Sequence, residues 1–152
     1  FRKAFPPRET PYTRDEVAAG VECCAAIEVV SGRFNLDAPV SNLERLADGI
    51  LNGGFVHDTP TPNWQHLDLG KLTVSMTING QTVIDKQEGG HPTGDPLNVA
   101  LVLVNLWRAK GGVRAGQFVT CGSFTGLKYI QPGDVCAIRF EGLGAARVEF
   151  TV

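Results

Sequence analysis

The sequence predicts an α+β domain that is mainly β, with a few helices inserted between strands. Glycine occurs 18 times in 152 residues, which is typical of a β-rich chain with many turns. Apolar and polar residues alternate strictly at residues 72–78, whereas helical spacing of apolar residues is confined to a few segments. Because strands and helices do not alternate regularly, a parallel βαβ fold is not predicted. A chain of this length forms one domain with a substantial core.

The N-terminal part of the chain combines two predicted strands with a short helix. Residues 1–5 are strand-like, and the two prolines that follow end this predicted strand. Thr13 and Glu16 have the T-x-x-E spacing of a capping box, which predicts a short helix through Ala19. The apolar run after this helix predicts a strand around Glu28.

A second capping box, at Ser41 and Glu44, predicts the start of another helix. The apolar residues that follow have the spacing of one helix face: Leu43, Leu46, Ala47, Ile50 and Leu51. We therefore predict an amphipathic helix that ends at Gly53 and Gly54, with a strand at residues 55–57 after it.

The remaining strands are predicted mostly from alternation and turn residues. Residues 72–78 and 82–84 form a predicted β-hairpin, because Asn79 and Gly80 suit the positive φ angles of a two-residue turn. Glycine-containing turns separate the last predicted strands, which lie at residues 117–121, 135–140 and 147–152.

One long helix is predicted between these strands. Asp95 is a suitable N-cap, and Pro96 occupies the first helical position. From there to about Lys110 the sequence is apolar almost all round. We therefore expect this helix to be largely buried.

Composition and charge argue for small molecules as partners. The net charge is −2, charged residues make up 20% of the chain and no basic cluster is present, which argues against nucleic acid or an anionic membrane. The four cysteines show no C-x-x-C spacing and suit free thiols in a reducing compartment: Cys23, Cys24, Cys121 and Cys136. No transmembrane-length run or signal peptide is visible, so we expect a cytoplasmic location.

Glu28 is the most informative acid because it lies within an otherwise apolar run. Placing an ionised carboxylate in a dry strand costs several kcal/mol unless a cation or hydrogen-bond donors compensate. One interpretation is a strand whose glutamate faces solvent. The other is a metal ligand or general base.

A glycine-flanked turn, residues 122–126, provides a second candidate feature. Ser123 and Thr125 contribute two hydroxyls, and Gly122 allows a ligand to approach the backbone, so the turn can bind a carboxylate or phosphate oxygen. An ordinary Gly-Ser turn is the alternative.

The remaining candidates are histidines and one helix carboxylate. The three histidines lack the spacing of a zinc site, although His91 lies in a glycine-rich loop before the apolar helix. Asp48 is either a solvated helix carboxylate or part of a site.

Five segments of the chain are distinctive in their order: Ala-Ile-Glu-Val-Val-Ser-Gly-Arg-Phe at 26–34, Leu-Ala-Asp at 46–48 with the glycine pair at 53–54, Gly-Ser-Phe-Thr-Gly at 122–126, Pro-Gly-Asp at 132–134 and Phe-Glu-Gly-Leu-Gly at 140–144. Taken together, they resemble the fumarylacetoacetate hydrolase superfamily, and within it the branch of 2-keto-4-pentenoate hydratases and 4-oxalocrotonate decarboxylases. The resemblance implies a mixed β-sheet roll or barrel. It also implies that residues 1–152 are a single catalytic domain of the C-terminal type, without the N-terminal part of the family's proteins.

The resemblance further implies Mg²⁺ or Mn²⁺ as cofactor, held by a Glu-x-Glu pair and a later acid. Glu28 matches the later acid, while the pair would stand upstream of Phe1. Gly122, Ser123 and Thr125 match the substrate-binding turn, and Asp48 matches a catalytic acid near the site. The family also implies a homo-oligomer.

The activity implied is a metal-dependent hydratase that adds water to a 2-hydroxy-dienoate or unsaturated 2-oxo acid in aromatic-compound degradation. An acylpyruvate-type C–C hydrolase and a 4-oxalocrotonate-type decarboxylase are alternatives. Departures at Gly49, where related hydratases have Asn, and at Ser41, near the position of a frequent Lys, leave a catalytically idle scaffold paralogue as a third.

Overall fold

The computed structural model describes residues 1–35 and 37–151. Three helices and six strands follow one another along these residues, with two 3₁₀ turns at Trp64–His66 and Leu69–Lys71. In chain order they are α1 (Arg14–Ala18), β1 (Ala26–Val30), α2 (Asn42–Ala47), β2 (Asn52–His57), β3 (Thr73–Ile78), β4 (Gln81–Glu88), α3 (Pro96–Trp107), β5 (Val135–Phe140) and β6 (Gly144–Glu149). The α+β, mainly β class is thus confirmed.

The strands form two open sheets. β1 pairs with β2, and the other four strands have the order β4-β3-β5-β6. Every strand pair in the described ranges is antiparallel, and neither sheet closes on itself. The implied mixed sheet is therefore corrected to antiparallel pairing, and a closed roll or barrel is not observed. Short turns explain the antiparallel pairs β3–β4 and β5–β6, because a hairpin joins antiparallel neighbours.

The hairpin and the helix starts form as predicted. Asn79 and Gly80 have φ angles of 51° and 76°, as a two-residue hairpin turn requires. Both predicted capping boxes are present, at Thr13 and at Ser41. Asp95 caps α3 by accepting a hydrogen bond from the backbone N–H of Leu97.

Helix α2 is shorter than predicted. It ends at Ala47, and the backbone N–H groups of Gly49 and Ile50 donate to the carbonyls of Leu46 and Arg45. These two bonds form a Schellman motif, and Gly49 has the positive φ of 82° that the motif requires. The predicted glycine stop at residues 53–54 instead lies inside β2.

The apolar faces of two helices are more exposed than predicted. No residue of α2 is buried, so its apolar side chains lie at the surface. Helix α3 buries Leu97, Ala100 and Val104, whereas Val102 and Leu106 are exposed. One side of α3 therefore packs against the core, and the other carries exposed apolar side chains.

The chain termini also differ from prediction. Residues 1–5 form a single bridge, from Phe5 to Val113, rather than a strand. Residues 117–121 are irregular, and β6 spans Gly144–Glu149 rather than 147–152, whose last residue lies outside the described ranges. Among the described residues, 1–35 and 37–151, no helix is both long enough and apolar enough to cross a membrane.

Candidate functional site

A large cavity of about 910 Å³ lies between β1, the faces of β3 and β5, the start of α3 and the connection that precedes β5. Most of its wall is apolar, with Met76, Leu97 and Ile138 among the lining side chains. Glu28 lines this cavity, and so does the whole turn at residues 122–126. The fold therefore places the predicted metal ligand and the predicted substrate turn at one cavity, although 93 or more residues separate them in sequence.

Glu28 projects from β1 at the position where that strand pairs with Phe55 of β2. Its side chain is exposed, which corrects the expectation of a buried acid compensated by a cation. The physical reason is that β1 belongs to a sheet of only two strands, so part of its surface stays uncovered at the cavity. The exposed side chain agrees with the interpretation of a strand whose glutamate faces solvent. The position at the cavity still leaves the carboxylate free to bind a ligand there.

The turn at residues 122–126 brings two hydroxyls together. The Oγ of Ser123 lies 3.3 Å from the Oγ1 of Thr125 and accepts a hydrogen bond from the Thr125 backbone N–H at 3.2 Å. Gly122 and Gly126 have φ angles of 113° and 64°, which only glycine adopts readily. The conformation therefore places a pair of adjacent hydroxyls at the cavity. Thr125 Oγ1 donates to the carbonyl of Gly126 at 3.2 Å, and this hydroxyl would turn its hydrogen toward a carboxylate oxygen on binding.

Asp48, the C-cap of α2, does not line this cavity. Its side chain is only 7% exposed and pairs with Arg33, whose Nη1 lies 3.0 Å from Oδ1. The backbone N–H of Arg33 also donates to Oδ2 at 3.1 Å. This backbone bond, supported by the guanidinium, lowers the pKa of the Asp48 carboxyl below its usual value. The structure thus does not bring Asp48 together with Glu28 and the turn.

The four cysteines are free thiols, as predicted, and all four line the cavity. Burial raises the pKa of Cys23 to about 12 and also raises the pKa of each of the others. These thiols are therefore neutral at physiological pH and behave as small apolar groups. The charge at the cavity comes instead from acids and one lysine.

Three lining features were not singled out from the sequence. Glu22 lines the cavity and shares the strand parity of Glu28, which is a signal that could have been used. Lys128 follows the glycine turn by two residues and supplies a positive charge. Phe55 and Phe118 also line the cavity, and their ring centroids are 5.8 Å apart. This last contact joins distant segments and has no local sequence signal.

No cluster of three or more His, Cys, Asp or Glu side chains converges within the described residues. Glu28 therefore supplies one carboxylate to the cavity without forming a complete metal centre. Mg²⁺ is commonly bound by one or two protein carboxylates together with substrate oxygens and water. One exposed carboxylate that lines the same cavity as a pair of hydroxyls fits part of such a ligand set.

Comparison with known proteins gives relatives of one kind, although no family model matches the chain. It is 28% identical over 137 residues to 4-oxalocrotonate decarboxylase of Pseudomonas putida, covering 90% of this chain and 51% of that protein. It is 30% identical over 141 residues to 2-hydroxyhexa-2,4-dienoate hydratase of Comamonas testosteroni, covering 91% and 53%. It is 27% identical over 140 residues to 2-keto-4-pentenoate hydratase of Paraburkholderia xenovorans LB400, covering 91% and 51%. The chain thus spans about half the length of these relatives.

Solved structures give the same result. The 4-oxalocrotonate decarboxylase from Pseudomonas putida G7, complexed with calcium and acetate, matches with a TM-score of 0.76 and 25% identity, covering 98% of this chain and 56% of that one. A second structure of that enzyme, complexed with magnesium and adipate, has a TM-score of 0.74 at 24% identity and shows likeness of fold. Relatives and structures come from the predicted hydratase and decarboxylase branch, which confirms the resemblance.

Proposed function

We propose that this chain, a homologue of 2-keto-4-pentenoate hydratases and 4-oxalocrotonate decarboxylases, is the catalytic part of a metal-dependent hydratase. The reaction is the addition of water to a 2-hydroxy-dienoate or unsaturated 2-oxo acid in aromatic-compound degradation. The observation that supports it most is the shared cavity, where the carboxylate of Glu28 and the hydroxyls of Ser123 and Thr125 occur together. Treating residues 1–152 as one domain of the C-terminal catalytic type is part of the same proposal.

The chain's own residues provide the features that a 2-oxo acid requires. Ser123 and Thr125, with Gly122 opening the approach to the backbone, would hold the substrate carboxylate through their hydroxyls. Lys128 adds a positive charge to the same cavity. The apolar lining suits the unsaturated hydrocarbon part.

The proposed cofactor is Mg²⁺ or Mn²⁺, with Glu28 as one ligand. The decarboxylase structures that resemble this chain contain calcium or magnesium, which supports a divalent cation. When bound, such a cation would stabilise the negative charge that develops on the 2-oxo group. Glu28 would hold its carboxylate at the cavity wall, where exposure keeps the cost of an ionised side chain low.

The catalytic role of Asp48 stays a prediction, because this carboxylate pairs with Arg33 and lies outside the cavity wall. Small-molecule binding, a cytoplasmic location and a homo-oligomeric assembly complete the proposal. Decarboxylation of 4-oxalocrotonate is the second candidate, and the Pseudomonas putida relative is the observation that favours it. Both reactions use an unsaturated 2-oxo acid and the same charge stabilisation.

The proposal is tested with the purified full-length protein by following the ultraviolet absorbance of 2-hydroxypenta-2,4-dienoate with Mg²⁺ or with a chelator. We expect absorbance loss only with Mg²⁺. Glu28→Gln should lower this rate at least about tenfold, since perturbing the surroundings of a bound metal typically costs 10- to 100-fold. The matched control is Glu88→Gln, an exposed strand glutamate outside the cavity wall, which should keep the rate.

Equal rates in chelator and in Mg²⁺ would contradict the metal-dependent proposal. A parallel assay with 4-oxalocrotonate separates the two candidates, because decarboxylation releases CO₂ and hydration does not. CO₂ release without loss of the dienoate would favour the decarboxylase. No reaction with either substrate would favour the idle scaffold.

A further inference from the structure

His91 is the only polar or charged residue buried in the part of the chain that the structure describes, at 7% exposure. It lies in the connection between β4 and α3. The proposed chemistry does not use its ring, and the ring does not line the cavity. A buried imidazole must satisfy both nitrogens, so its partners show what it does.

The hydrogen bonds of His91 fix one neutral form of the ring. The backbone N–H of Thr93 donates to Nδ1 at 3.3 Å, which makes Nδ1 the acceptor. Nε2 therefore carries the hydrogen, and it donates to the carbonyl of Cys121 at 2.7 Å. Cys121 directly precedes the turn at residues 122–126, so the histidine holds the carbonyl at which the turn begins.

The His91 ring also packs directly under the turn. Its ring centroid lies 5.1 Å from that of Phe124. Phe124 stands between Ser123 and Thr125 in the sequence. A Cβ atom added to Gly122 would lie 3.1 Å from Nε2. The close approach of turn and imidazole thus depends on glycine at residue 122.

A second side chain from the same part of the chain holds the middle of the turn. The Nε2 of Gln87, near the end of β4, donates to the carbonyl of Phe124 at 2.7 Å and to that of Gly89 at 3.3 Å. Gln87 and His91 therefore hold two carbonyls that flank Ser123. Without these two side chains, the carbonyls of this irregular segment would hydrogen-bond to water. The turn, and with it the two hydroxyls, would then have more conformational freedom.

We propose that His91 and Gln87 are positioning residues that fix the turn so that the Ser123 and Thr125 hydroxyls converge on the substrate carboxylate. The inference rests on the proposed function, because it assigns this turn to substrate binding. Neither side chain touches the reacting atoms. Their effect is to hold the turn, before ligand arrives, in the conformation that binds it.

The test compares two substitutions of His91. His91→Phe keeps a ring but removes the donor to Cys121, whereas His91→Gln places a side-chain N–H near the same carbonyl. With Mg²⁺ present, we expect His91→Phe to raise the Kd of oxalate about tenfold, the usual order for a buried hydrogen bond left unmade. His91→Gln should restore most of the affinity. His66→Phe, at an exposed histidine outside the cavity wall, is the matched control and should leave the Kd unchanged.

Amide hydrogen exchange of ligand-free protein provides a readout independent of oxalate. Exchange at the Thr125 amide, which donates to Ser123, should quicken about tenfold in His91→Phe and less in His91→Gln. Exchange in the β3–β4 hairpin should not change. If His91→Phe fails to fold, Gln87→Met serves as the second variant, with the same expected local effect.

Unchanged Thr125 exchange and unchanged oxalate affinity in folded His91→Phe or Gln87→Met would overturn the positioning role. Equal losses in His91→Phe and His91→Gln would also overturn it, since they would show that packing alone matters. Failure of the unsubstituted protein to bind oxalate with Mg²⁺ would contradict the proposed function instead. The exchange measurement would then still decide whether His91 and Gln87 hold the turn.

Discussion

The two sides of the cavity are held in different ways. On one side, the turn at residues 122–126 rests on side chains from a distant part of the chain, with a buried histidine bound to Cys121 and Gln87 bound to Phe124. On the other side, β1 carries Glu28, and the connection from β1 to β2 contains α2, which has no buried residue. The ion pair of Arg33 and Asp48 lies within this connection, and Arg33 is 67% exposed.

This difference bears on what each side can do. Hydroxyls that recognise a carboxylate must be held in place, and buried hydrogen bonds provide that order before the ligand arrives. A segment with few buried apolar contacts opens at lower free energy. We infer that the turn is the preorganised side, and that the β1–β2 side adjusts more easily when a ligand binds.

Gly122→Ala disturbs the turn at residues 122–126 most directly. We expect it to have the largest effect on stability and on oxalate affinity together. Alanine at a φ of 113° is strained, and its Cβ would lie 3.1 Å from His91 Nε2. Backbone strain of this kind costs about 1–3 kcal/mol, so the free energy of unfolding should fall by that amount. The Kd of oxalate with Mg²⁺ should rise about tenfold or more, since 1.4 kcal/mol corresponds to tenfold. Denaturant unfolding and calorimetry measure the two quantities.

The matched control is Gly80→Ala in the β3–β4 turn. Gly80 also has a positive φ, 76°, but a Cβ there would meet nothing within 4 Å. It should lose stability without losing oxalate affinity. Equal affinity losses in both variants would show that the effect is general destabilisation, and would contradict a special role for the turn.

Local signals in the sequence predicted the elements whose causes are local. The Asn79-Gly80 turn, the capping boxes at Thr13 and Ser41, and the Asp95 N-cap each depend on a few neighbouring residues. The predicted end of α2 was wrong because the sequence contains two possible glycine stops, Gly49 and the pair at 53–54. Gly49 forms the Schellman motif and stops the helix before the glycine pair at 53–54.

The remaining errors and omissions depend on contacts between distant residues. The sequence left the exposure of Glu28 open between two interpretations, and the number of strands beside β1 decides between them. The exposed side of α3 depends on which element lies against it. His91 bonds to a carbonyl 30 residues away in sequence, so the sequence indicates only that His91 lies in a glycine-rich loop. The family resemblance, and not the spacing, assigned both Glu28 and the turn at residues 122–126 to one site.

Asp48→Asn perturbs the β1–β2 side and should have a smaller effect on stability. Arg33 donates to the carboxylate and lowers its pKa, so ionised Asp48 stabilises the folded chain above about pH 4, the ordinary value for Asp. This contribution is lost as pH falls through the lowered folded pKa. The variant should therefore be less stable than the unchanged chain at neutral pH, and the difference should shrink in acid. Urea unfolding between pH 2 and pH 7 measures it.

The same variant tests the catalytic prediction for Asp48. A general acid or base typically contributes 10²- to 10⁴-fold to the rate, so a catalytic Asp48 should show a loss of that size when the protein is folded. A rate kept within a few-fold would contradict the catalytic role and leave the Arg33 pairing as the function of this carboxylate. A difference in stability that does not shrink in acid would contradict the electrostatic explanation.

Leu46→Ala should have the smallest effect, because it removes apolar atoms from a helix with no buried residue. Leu46 is 58% exposed, so truncation should change the free energy of unfolding by no more than about 0.5 kcal/mol. The matched control is Leu97→Ala in α3, where Leu97 is 6% exposed. Truncation of a buried leucine typically costs about 2–5 kcal/mol. A loss at Leu46 approaching that at Leu97, especially one that grows with protein concentration, would show that another surface covers α2. The β1–β2 side of the cavity would then be held as firmly as the turn, and the contrast between the two sides would fail.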